Sequence, residues 1–241
     1  MRQSYFQFKQ FIVHQENCAM KVCTDSCLFG AWTAIKASQQ ESPAKKALDI
    51  GGGTGLLCMM FAQKNNTDID VIEINQDASQ QAIQNISLSD WKDSIHVKNT
   101  SLQLFSPVQQ YDFIFSNPPF FENDLKSADE FKNSAKHDTE LSLDFLFHFI
   151  AEHIATNGKA TVLLPFHRTS AFEELIIENG MFVNEKLLVK QSVKHDYFRS
   201  MLLFSKIKQS KAVETEISIR DDQNEYTLEF KDLLRDYYLA F

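Results

Sequence analysis

The stretch Leu48-Asp49-Ile50-Gly51-Gly52-Gly53-Thr54-Gly55 decides the fold of this chain. Its apolar start is typical of a buried strand, and the glycines that follow are typical of a tight turn that opens a helix. Glycine has no Cβ, so the backbone can approach a ligand closely and the first amides of the helix can face it. The stretch therefore predicts a strand, a turn and a helix that bind a nucleotide-type cofactor, with Gly51 and Gly53 among the contacts.

Two acids favour S-adenosylmethionine as that cofactor. Asp49 precedes the glycines, where a carboxylate can meet a cationic amino group, and Glu73 ends the next predicted strand, where it can accept from both ribose hydroxyls. The glycine spacing also differs from the Gly-x-Gly-x-x-Gly pattern of dinucleotide sites. Asp49 and Glu73 can instead be interpreted as paired catalytic carboxylates, but the ends of adjacent strands suit ligand binding better.

A segment before the sheet, Met20-Lys21-Val22-Cys23-Thr24-Asp25, is expected to close over the methionine part of the cofactor. Lys21 and Thr24 are its candidate cofactor contacts. Thr24 or Asp25 can also cap a helix that begins here, and capping alone would explain their presence.

The motif Asn117-Pro118-Pro119-Phe120 follows the apolar run Phe113–Phe115 and predicts a grip on a planar amino group. The Asn117 side-chain oxygen and the Pro118 carbonyl can accept its two N–H bonds, and Phe120 can stack on its plane. Two acceptors localise the nitrogen lone pair, and the nitrogen can then attack the sulfonium methyl in line without a dedicated base. Asn117 (also near the cofactor), Pro118 and Phe120 are therefore the predicted catalytic residues.

The middle of the chain alternates strand and helix patterns, which predicts an α/β fold with a doubly wound, mostly parallel seven-stranded sheet. Strands are predicted at 46–50, 69–74, 95–98, 111–116, 160–164, 182–189 and 200–204, and helices at 55–64, 76–88, 142–156 and 168–179. The last two strands are joined by a short segment, which indicates an antiparallel hairpin at one edge. Gly158 and Gly180 are expected to stop helices.

Three regions are expected along the chain. Residues 1–45 form an N-terminal element that covers substrate and cofactor, and residues 46–208 form the methyltransferase core. Residues 209–241 form an extension packed on the core, with a strand at 214–220 and an amphipathic helix at 227–239.

Composition restricts the setting in which the protein acts. The chain has 241 residues, 44% of them hydrophobic, and a net charge of −8. It has no apolar run long enough to span a bilayer and its start lacks the apolar stretch of a secretory signal, so a cytoplasmic location without membrane contact is expected. The negative charge argues against an extended nucleic-acid interface. The basic stretch from Lys186 to Arg199, continued to Lys211, is either a solvated face or an RNA-contact face.

Four cysteines raise the question of a metal site. Cys18, Cys23 and Cys27 lie close together in the sequence near His14, but their spacing is not that of paired Cys-x-x-Cys zinc ligands. Ordinary buried thiols are the better interpretation, and no metal is expected.

With these residues in hand, the chain resembles the bacterial tRNA1(Val) adenine-37 N6-methyltransferase family nearly from end to end. The resemblance includes the Asn117 motif, the 49–57 loop and the following stretches: 8–11 (Phe-Lys-Gln-Phe), 18–22 (Cys-Ala-Met-Lys-Val), Thr24-Asp25, 28–32 (Leu-Phe-Gly-Ala-Trp), 135–137 (Ala-Lys-His), 230–233 (Phe-Lys-Asp-Leu) and 236–239 (Asp-Tyr-Tyr-Leu). It implies S-adenosylmethionine as cofactor and, as substrate, an adenine in the anticodon loop of a valine tRNA.

The chain departs from the family pattern at a few positions. Cys23 and Cys27 stand where small residues, often glycine, are expected, and Gly52 replaces a more usual alanine. Ser101 stands where relatives often have an aspartate that contacts the cofactor adenine. Ser101 can still accept one hydrogen bond, so the resemblance implies weaker cofactor binding at this residue rather than none.

Three alternatives remain open at this point. The same amino-group grip suits a protein glutamine amide or a ribosomal RNA base. A non-catalytic binding module on this fold is a different class, against which Asp49, Glu73 and Asn117 argue. An NAD-type oxidoreductase is disfavoured by the glycine spacing and by Pro118-Pro119.

Overall fold

The computed structural model describes residues 4–16, 18, 21–119, 142–209 and 211–241. Its strands, in chain order, are β1 (Tyr5–Gln7), β2 (Ile12–His14), β3 (Lys46–Ile50), β4 (Asp68–Glu73), β5 (Ile95–Asn99), β6 (Tyr111–Ser116), β7 (Ile154–Pro165), β8 (Phe182–Ser192), β9 (Tyr197–Ser205) and β10 (Val213–Arg220). Strands β3 to β10 form an eight-stranded sheet in the order β10-β8-β9-β7-β6-β3-β4-β5, and β1 pairs with β2 as a separate antiparallel hairpin. Only β9 runs against its neighbours in the large sheet, so the expected mostly parallel α/β fold is confirmed.

Helices cover both faces of the sheet. They are α1 (Thr24–Ser38), α2 (Leu56–Lys64), α3 (Gln76–Ser87), α4 (Leu143–His153), α5 (Thr169–Glu178) and α6 (Leu228–Leu234). α1, α2, α3 and α6 pack in one apolar cluster, and α4 and α5 pack in the other. Ala47 and Leu48 are neighbours in β3, but Ala47 packs in the first cluster and Leu48 in the second. Successive side chains of a strand point to opposite faces of the sheet. The sheet is therefore doubly wound.

The large sheet has one strand more than the seven expected. The predicted 214–220 strand does not stay in the tail but pairs in parallel with β8, from Val213 opposite Glu185 to Arg220 opposite Ser192. Its Ile217 and Ile219 are buried against the core. The β8–β9 hairpin is antiparallel, as expected, but β10 covers the β8 edge, so the hairpin is not at the edge of the sheet.

One of the two predicted helix-stop glycines has a different role. Helix α4 ends at His153, not at 156, and β7 begins at the next residue, so Gly158 lies inside a strand. A Cβ there would lie 2.8 Å from Ile154 Cγ1 and 2.9 Å from the Tyr111 carbonyl oxygen, so close packing requires glycine. Gly180 follows α5 with a φ of +74°, as a helix-stop glycine should.

The N-terminal residues contain structure that the sequence pattern did not predict. β1 and β2 were missed because each is only three residues long. α1 was anticipated only at its start, since apolar side chains surround it and leave no polar stripe to mark a helix. The hairpin is tied to the core by Asn85 of α3, which accepts from the His14 amide at 3.0 Å and donates to the His14 carbonyl at 2.8 Å.

The C-terminal residues pack against both the core and the N-terminal hairpin. The predicted 227–239 helix is shorter than expected, because α6 ends at Leu234 and turns follow it. Tyr237 is fully buried, and its hydroxyl donates to the Met60 carbonyl of α2 at 2.9 Å. Tyr238 forms an isolated antiparallel bridge with Phe8. The two ends of the described chain thus meet over α1 and α2.

Among the helices of the described residues, none is both long enough and apolar enough to cross a bilayer.

Tyr237→Ala is expected to lower the free energy of unfolding by about 3–5 kcal/mol, the usual cost of removing a buried aromatic ring. Leu239→Ala, a substitution two positions on at a residue that is 59% exposed, should change it by less than about 0.5 kcal/mol. Denaturant unfolding of both variants measures the difference. Equal effects would contradict the packing of this segment on α2.

Candidate active site

The glycine turn is held in place by the neighbouring strand β4. The amides of Gly51 and Gly52 donate to the Ile72 carbonyl at 2.9 and 3.1 Å. Gly53 has a φ of +54°, in the left-handed region that disfavours residues with a Cβ. A Cβ on Gly52 would lie only 2.1 Å from Val71 Cγ1, so an alanine at this position would not fit against this valine as it stands. The turn therefore passes directly over β4.

Glu73 fixes the same turn from the end of β4. One carboxylate oxygen accepts from the Gly53 amide at 2.9 Å, and the other accepts from the Asn75 amide at 2.8 Å. A carboxylate oxygen can accept more than one hydrogen bond, so each retains capacity for a ligand donor. Glu73 is only 9% exposed, so its carboxylate has little freedom to turn. The acceptor positions that remain therefore face in a fixed direction.

Asp49 is fully buried beneath the turn, and neither of its carboxylate oxygens accepts a well-formed hydrogen bond within the described residues. Burial, and then the neighbouring Glu73 carboxylate, raise the pKa of Asp49 well above its usual value, against a smaller opposite effect of the Cys58 backbone. A buried carboxylate without a partner is costly. This acid is thus suited to a cationic or hydrogen-bond-donating ligand group.

Asn117 follows the last residue of β6, where Ser116 Oγ donates to the Ile50 carbonyl at 2.8 Å and ties β6 to β3. The Asn117 side-chain nitrogen donates to Ser26 Oγ at 3.1 Å, while its side-chain oxygen is buried without a partner among the described residues. Pro118 is buried and Pro119 is exposed. Phe120, the third predicted catalytic residue, lies outside the described residues, as do Met20 and residues 135–137.

A cleft lies between the glycine turn and the start of α1. Its lining is formed by Lys21, Val22, Ser26, residues 51–54, Leu56, Leu57 and Asn117. The structure thereby brings together four of the predicted site residues: Lys21, Gly51, Gly53 and Asn117. Asp49 and Glu73 lie behind the turn rather than in the wall.

Thr24 and Ser101 are not in the wall of this cleft. Thr24 is the first residue of α1, but the N-cap is Cys23, without a side-chain capping bond, so the predicted capping by Thr24 or Asp25 is wrong. Asp25 instead accepts from Arg199 Nε at 2.8 Å, which joins α1 to β9. Ser101 follows β5, half-buried, and its carbonyl accepts from Leu104 and Phe105 at 3.2 and 3.1 Å.

The N-terminal wall of the cleft depends on residues that the sequence did not single out. Gln15 accepts from the Val22 amide at 2.7 Å through its side chain and from the Lys21 ammonium through its carbonyl. Ser26 was also missed, because a serine in the first turn of a helix has no periodic or spacing signal. Both positions become meaningful only when the distant segments they join are in place.

Three cations of the basic stretch are paired with nearby acids. Lys186 pairs with Glu173 and Glu214 at 2.9 Å each, and Lys190 pairs with Glu216 at 3.4 Å. Arg199 pairs with Asp25 at 2.8 Å. Of the two interpretations left open for this stretch, the solvated face fits these pairs better than an RNA-contact face does.

In the part of the chain that the structure describes, the cysteines do not join other His, Cys, Asp or Glu side chains in a group that could hold a metal ion. Cys18, Cys27 and Cys58 are buried and Cys23 is exposed. Burial raises the pKa of the Cys27 thiol to about 12. Cys23 is exposed as a whole residue, but desolvation of its sulfur and the neighbouring Asp25 carboxylate raise the pKa of its thiol to about 11, so both thiols keep their protons at neutral pH.

Comparison with known proteins gives full-length relatives. The methyltransferase small domain family matches residues 30–139. A tRNA1(Val) (adenine(37)-N6)-methyltransferase of Bacteroides fragilis is 36% identical over 242 residues, which cover 99% of each chain. Its counterpart in Pseudoalteromonas translucida is 38% identical over 237 residues, covering 98% of this chain and 99% of the relative.

Solved structures share the fold at low identity. A predicted O-methyltransferase of Agrobacterium tumefaciens superposes with a TM-score of 0.63 at 14% identity, covering 88% of this chain and 95% of the other. At that identity the likeness concerns the fold alone.

Asp49→Asn is expected to stabilise the cofactor-free protein relative to the parental chain, increasingly as the pH rises above about 4. The pKa of Asp49 is higher in the folded state than in the unfolded state, so the folded protein holds this proton more tightly. The free energy of unfolding of the parental protein therefore falls as the pH rises from the unfolded-state pKa through the folded-state pKa. Asparagine does not titrate and keeps the side-chain shape. The difference should grow by about 1.4 kcal/mol for each unit by which the pKa is raised.

Denaturant unfolding between pH 4 and pH 8 measures this difference. Asp90→Asn removes an exposed carboxylate and serves as the matched control. A difference between Asp49→Asn and the parental protein that stays constant across this range would contradict the buried, protonated carboxyl.

Proposed function

Because this chain belongs to the tRNA1(Val) (adenine(37)-N6)-methyltransferase family, we propose that it transfers a methyl group from S-adenosylmethionine to N6 of adenine 37 in the anticodon loop of a valine tRNA. The observation that carries the chemistry is Asn117, whose buried side-chain oxygen, next to the end of β6, has no hydrogen-bond partner in the part of the chain that the structure describes. The full-length relatives support tRNA adenine over the other planar amino groups that such a grip would suit.

Asn117 and Pro118 prepare the amino group for methyl transfer. The lone pair of an adenine amine is delocalised into the ring, which makes the nitrogen a poor nucleophile. Hydrogen bonds from its two N–H groups to the Asn117 oxygen and the Pro118 carbonyl favour a pyramidal nitrogen and return the lone pair to it. Positioning then supplies most of the rate, since holding two reactants in register can contribute about 7–11 kcal/mol.

The proton leaves without a dedicated base in this proposal. A newly methylated nitrogen carries positive charge and is strongly acidic, so solvent is a sufficient acceptor. Asn117 and Pro118 present neutral oxygens that hold the N–H bonds but do not need to be protonated. Phe120 completes the grip by stacking on the base, which is worth about 1–3 kcal/mol.

The residues around the glycine turn fit the cofactor. When bound, S-adenosylmethionine supplies an electrophilic methyl group on a sulfonium. Asp49 would meet its cationic amino group and accept a hydrogen bond that no described residue donates to it in good geometry. Glu73 would accept from the ribose hydroxyls while it keeps the turn in place.

The remaining proposed contacts extend along the cofactor. Gly51 and Gly53 allow its close approach to the turn, and Lys21, in the cleft wall, carries the charge that suits a carboxylate. Thr24 lies at the start of α1 and would contact the methionine part of the cofactor, and Ser101 follows β5 and would contact the adenine. Neither lines the cleft, so these two are expected to contribute less than Asp49 and Glu73.

Methyl transfer from labelled S-adenosylmethionine to an unmodified valine tRNA transcript, followed by nucleoside analysis, tests the proposal. Label is expected in N6-methyladenosine, and replacing adenine 37 by guanine in the transcript should abolish it. Label in another nucleoside, or label only in protein when a cell extract is supplied, would reject the tRNA adenine and favour a ribosomal RNA base or a glutamine amide. No label with cofactor binding intact would favour a binding module.

Asn117→Ala and Glu73→Ala are expected to separate chemistry from cofactor binding. Asn117→Ala should lower kcat at least about 100-fold, with the Kd for S-adenosylmethionine within about threefold of the parental value, because one of two acceptors on the target nitrogen is lost. Glu73→Ala should raise that Kd at least about tenfold, because both the ribose acceptor and the anchor of the Gly53 amide are lost. Calorimetry and single-turnover assays measure the two effects. Full activity in Asn117→Ala would reject the mechanism.

A further inference from the structure

We propose that Ser26 and Cys23 are positioning residues that set which way the Asn117 amide faces. The inference rests on the proposed function, in which the Asn117 oxygen must point at the target amino group. Ser26 lies in the first turn of α1, 91 residues before Asn117, and their side chains meet at 3.1 Å. None of the residue patterns that point to the cofactor or to the amino-group grip includes Ser26.

The orientation of an asparagine amide matters because its two ends are chemically opposite. The oxygen accepts hydrogen bonds and the nitrogen only donates them. If the amide were turned over, its N–H donors would face the N–H donors of the target and the grip would fail. The Asn117 nitrogen therefore has to be held on the side away from the target, and Ser26 Oγ is its hydrogen-bond partner there.

A serine hydroxyl alone cannot select this orientation, because it can donate to an amide oxygen as well as accept from an amide nitrogen. Cys23 resolves the ambiguity. Its own thiol proton can be donated to the Asp25 carboxylate, to which the thiol is hydrogen-bonded. Its Sγ lies 2.9 Å from Ser26 Oγ and can then accept from the serine hydroxyl. Because the serine proton is then used in the bond to sulfur, the Ser26 hydroxyl oxygen can only accept from Asn117. The amide nitrogen of Asn117 can donate such a hydrogen bond, and the amide oxygen cannot. The three side chains form one directional chain of hydrogen bonds from Asn117 to Cys23.

The start of α1 is held rigidly enough for this role. Asp25 accepts from the Ser26 amide at 3.0 Å and from Arg199 Nε at 2.8 Å, which fixes the first turn against β9. The preceding Val22 amide is held by Gln15 at 2.7 Å. On the other side, the bond from Ser116 to the Ile50 carbonyl fixes the backbone next to Asn117. The contact between Ser26 and Asn117 thus joins two anchored segments.

The experiment compares Ser26→Ala with Ser38→Ala in steady-state and binding assays. Ser38 lies at the other end of α1 and donates to the Ile35 carbonyl at 2.9 Å, so its substitution also removes one hydrogen bond from the same helix. Ser26→Ala is expected to lower kcat about 5- to 20-fold while the Kd for S-adenosylmethionine stays within about twofold, as the loss of one hydrogen bond to the catalytic group predicts. Ser38→Ala should match the parental protein in both.

Cys23 gives a graded second test at an exposed residue. Cys23→Ala removes the acceptor of the serine proton and is expected to lower kcat about two- to fivefold, whereas Cys23→Ser restores an acceptor and should recover most of it. Parental kcat in Cys23→Ala would overturn the directional chain. A raised Kd with unchanged kcat in Ser26→Ala would also overturn the proposal, because Ser26 would then act on the cofactor.

A third measurement does not depend on activity. In 15N-labelled protein, the side-chain amide protons of Asn117, assigned by their loss in Asn117→Ala, should exchange with solvent at least about tenfold faster in Ser26→Ala than in Ser38→Ala or the parental protein. Unchanged exchange would overturn the hydrogen bond itself. Protected amide protons in a parental protein that fails to methylate tRNA would instead reject the proposed function while the Ser26 contact stands.

Discussion

The parallel pairing of β3 with β4 on one side and β6 on the other is the constraint on which the rest of the site depends. Ile50, the last residue of β3, lies opposite Ile72 of β4 and Ser116 of β6. The strand ends therefore lie at the same level, and the loops that leave them meet. The glycine turn, Glu73 and Asn117 come together for this reason. A slip of one residue in either pairing would turn these side chains to the opposite face of the sheet.

Two polar groups of the site lack hydrogen-bond partners within the described residues, at positions where a ligand can supply them. Asp49 is buried without a hydrogen-bond partner in the described residues, and so is the side-chain oxygen of Asn117. Folded proteins rarely leave such groups unpaired, because each costs about 1–3 kcal/mol. Asn117 lines the cleft, and Asp49 lies behind the glycine turn that forms part of the cleft wall. These unpaired groups lower the stability of the ligand-free protein. In return, Asp49 is preorganised for a cationic group and Asn117 for an amino group.

The N-terminal element forms part of the cleft wall and also links that wall to the rest of the protein. Gln15 holds the segment before α1, Arg199 holds its first turn through Asp25, and Ser26 reaches Asn117. At the same time, the cations from Lys186 to Arg199 are largely paired with nearby acids. The charge on this part of the acidic chain is therefore used to hold the protein together, and the pair of Arg199 with Asp25 lies at the start of α1, next to the site.

The sequence by itself determined the alternation of strands and helices, the glycine turn and the identity of Asp49, Glu73 and Asn117. These features depend on local chemistry: apolar runs form buried strands, glycines permit close approach, and acids and amides accept hydrogen bonds. Only the tertiary structure decided that the 214–220 strand joins the sheet, that Gly158 lies within a strand, that Cys23 is the N-cap of α1, and that Ser26 meets Asn117. Each of these depends on a contact between residues distant along the chain, and periodicity within a short segment carries no information about such a contact.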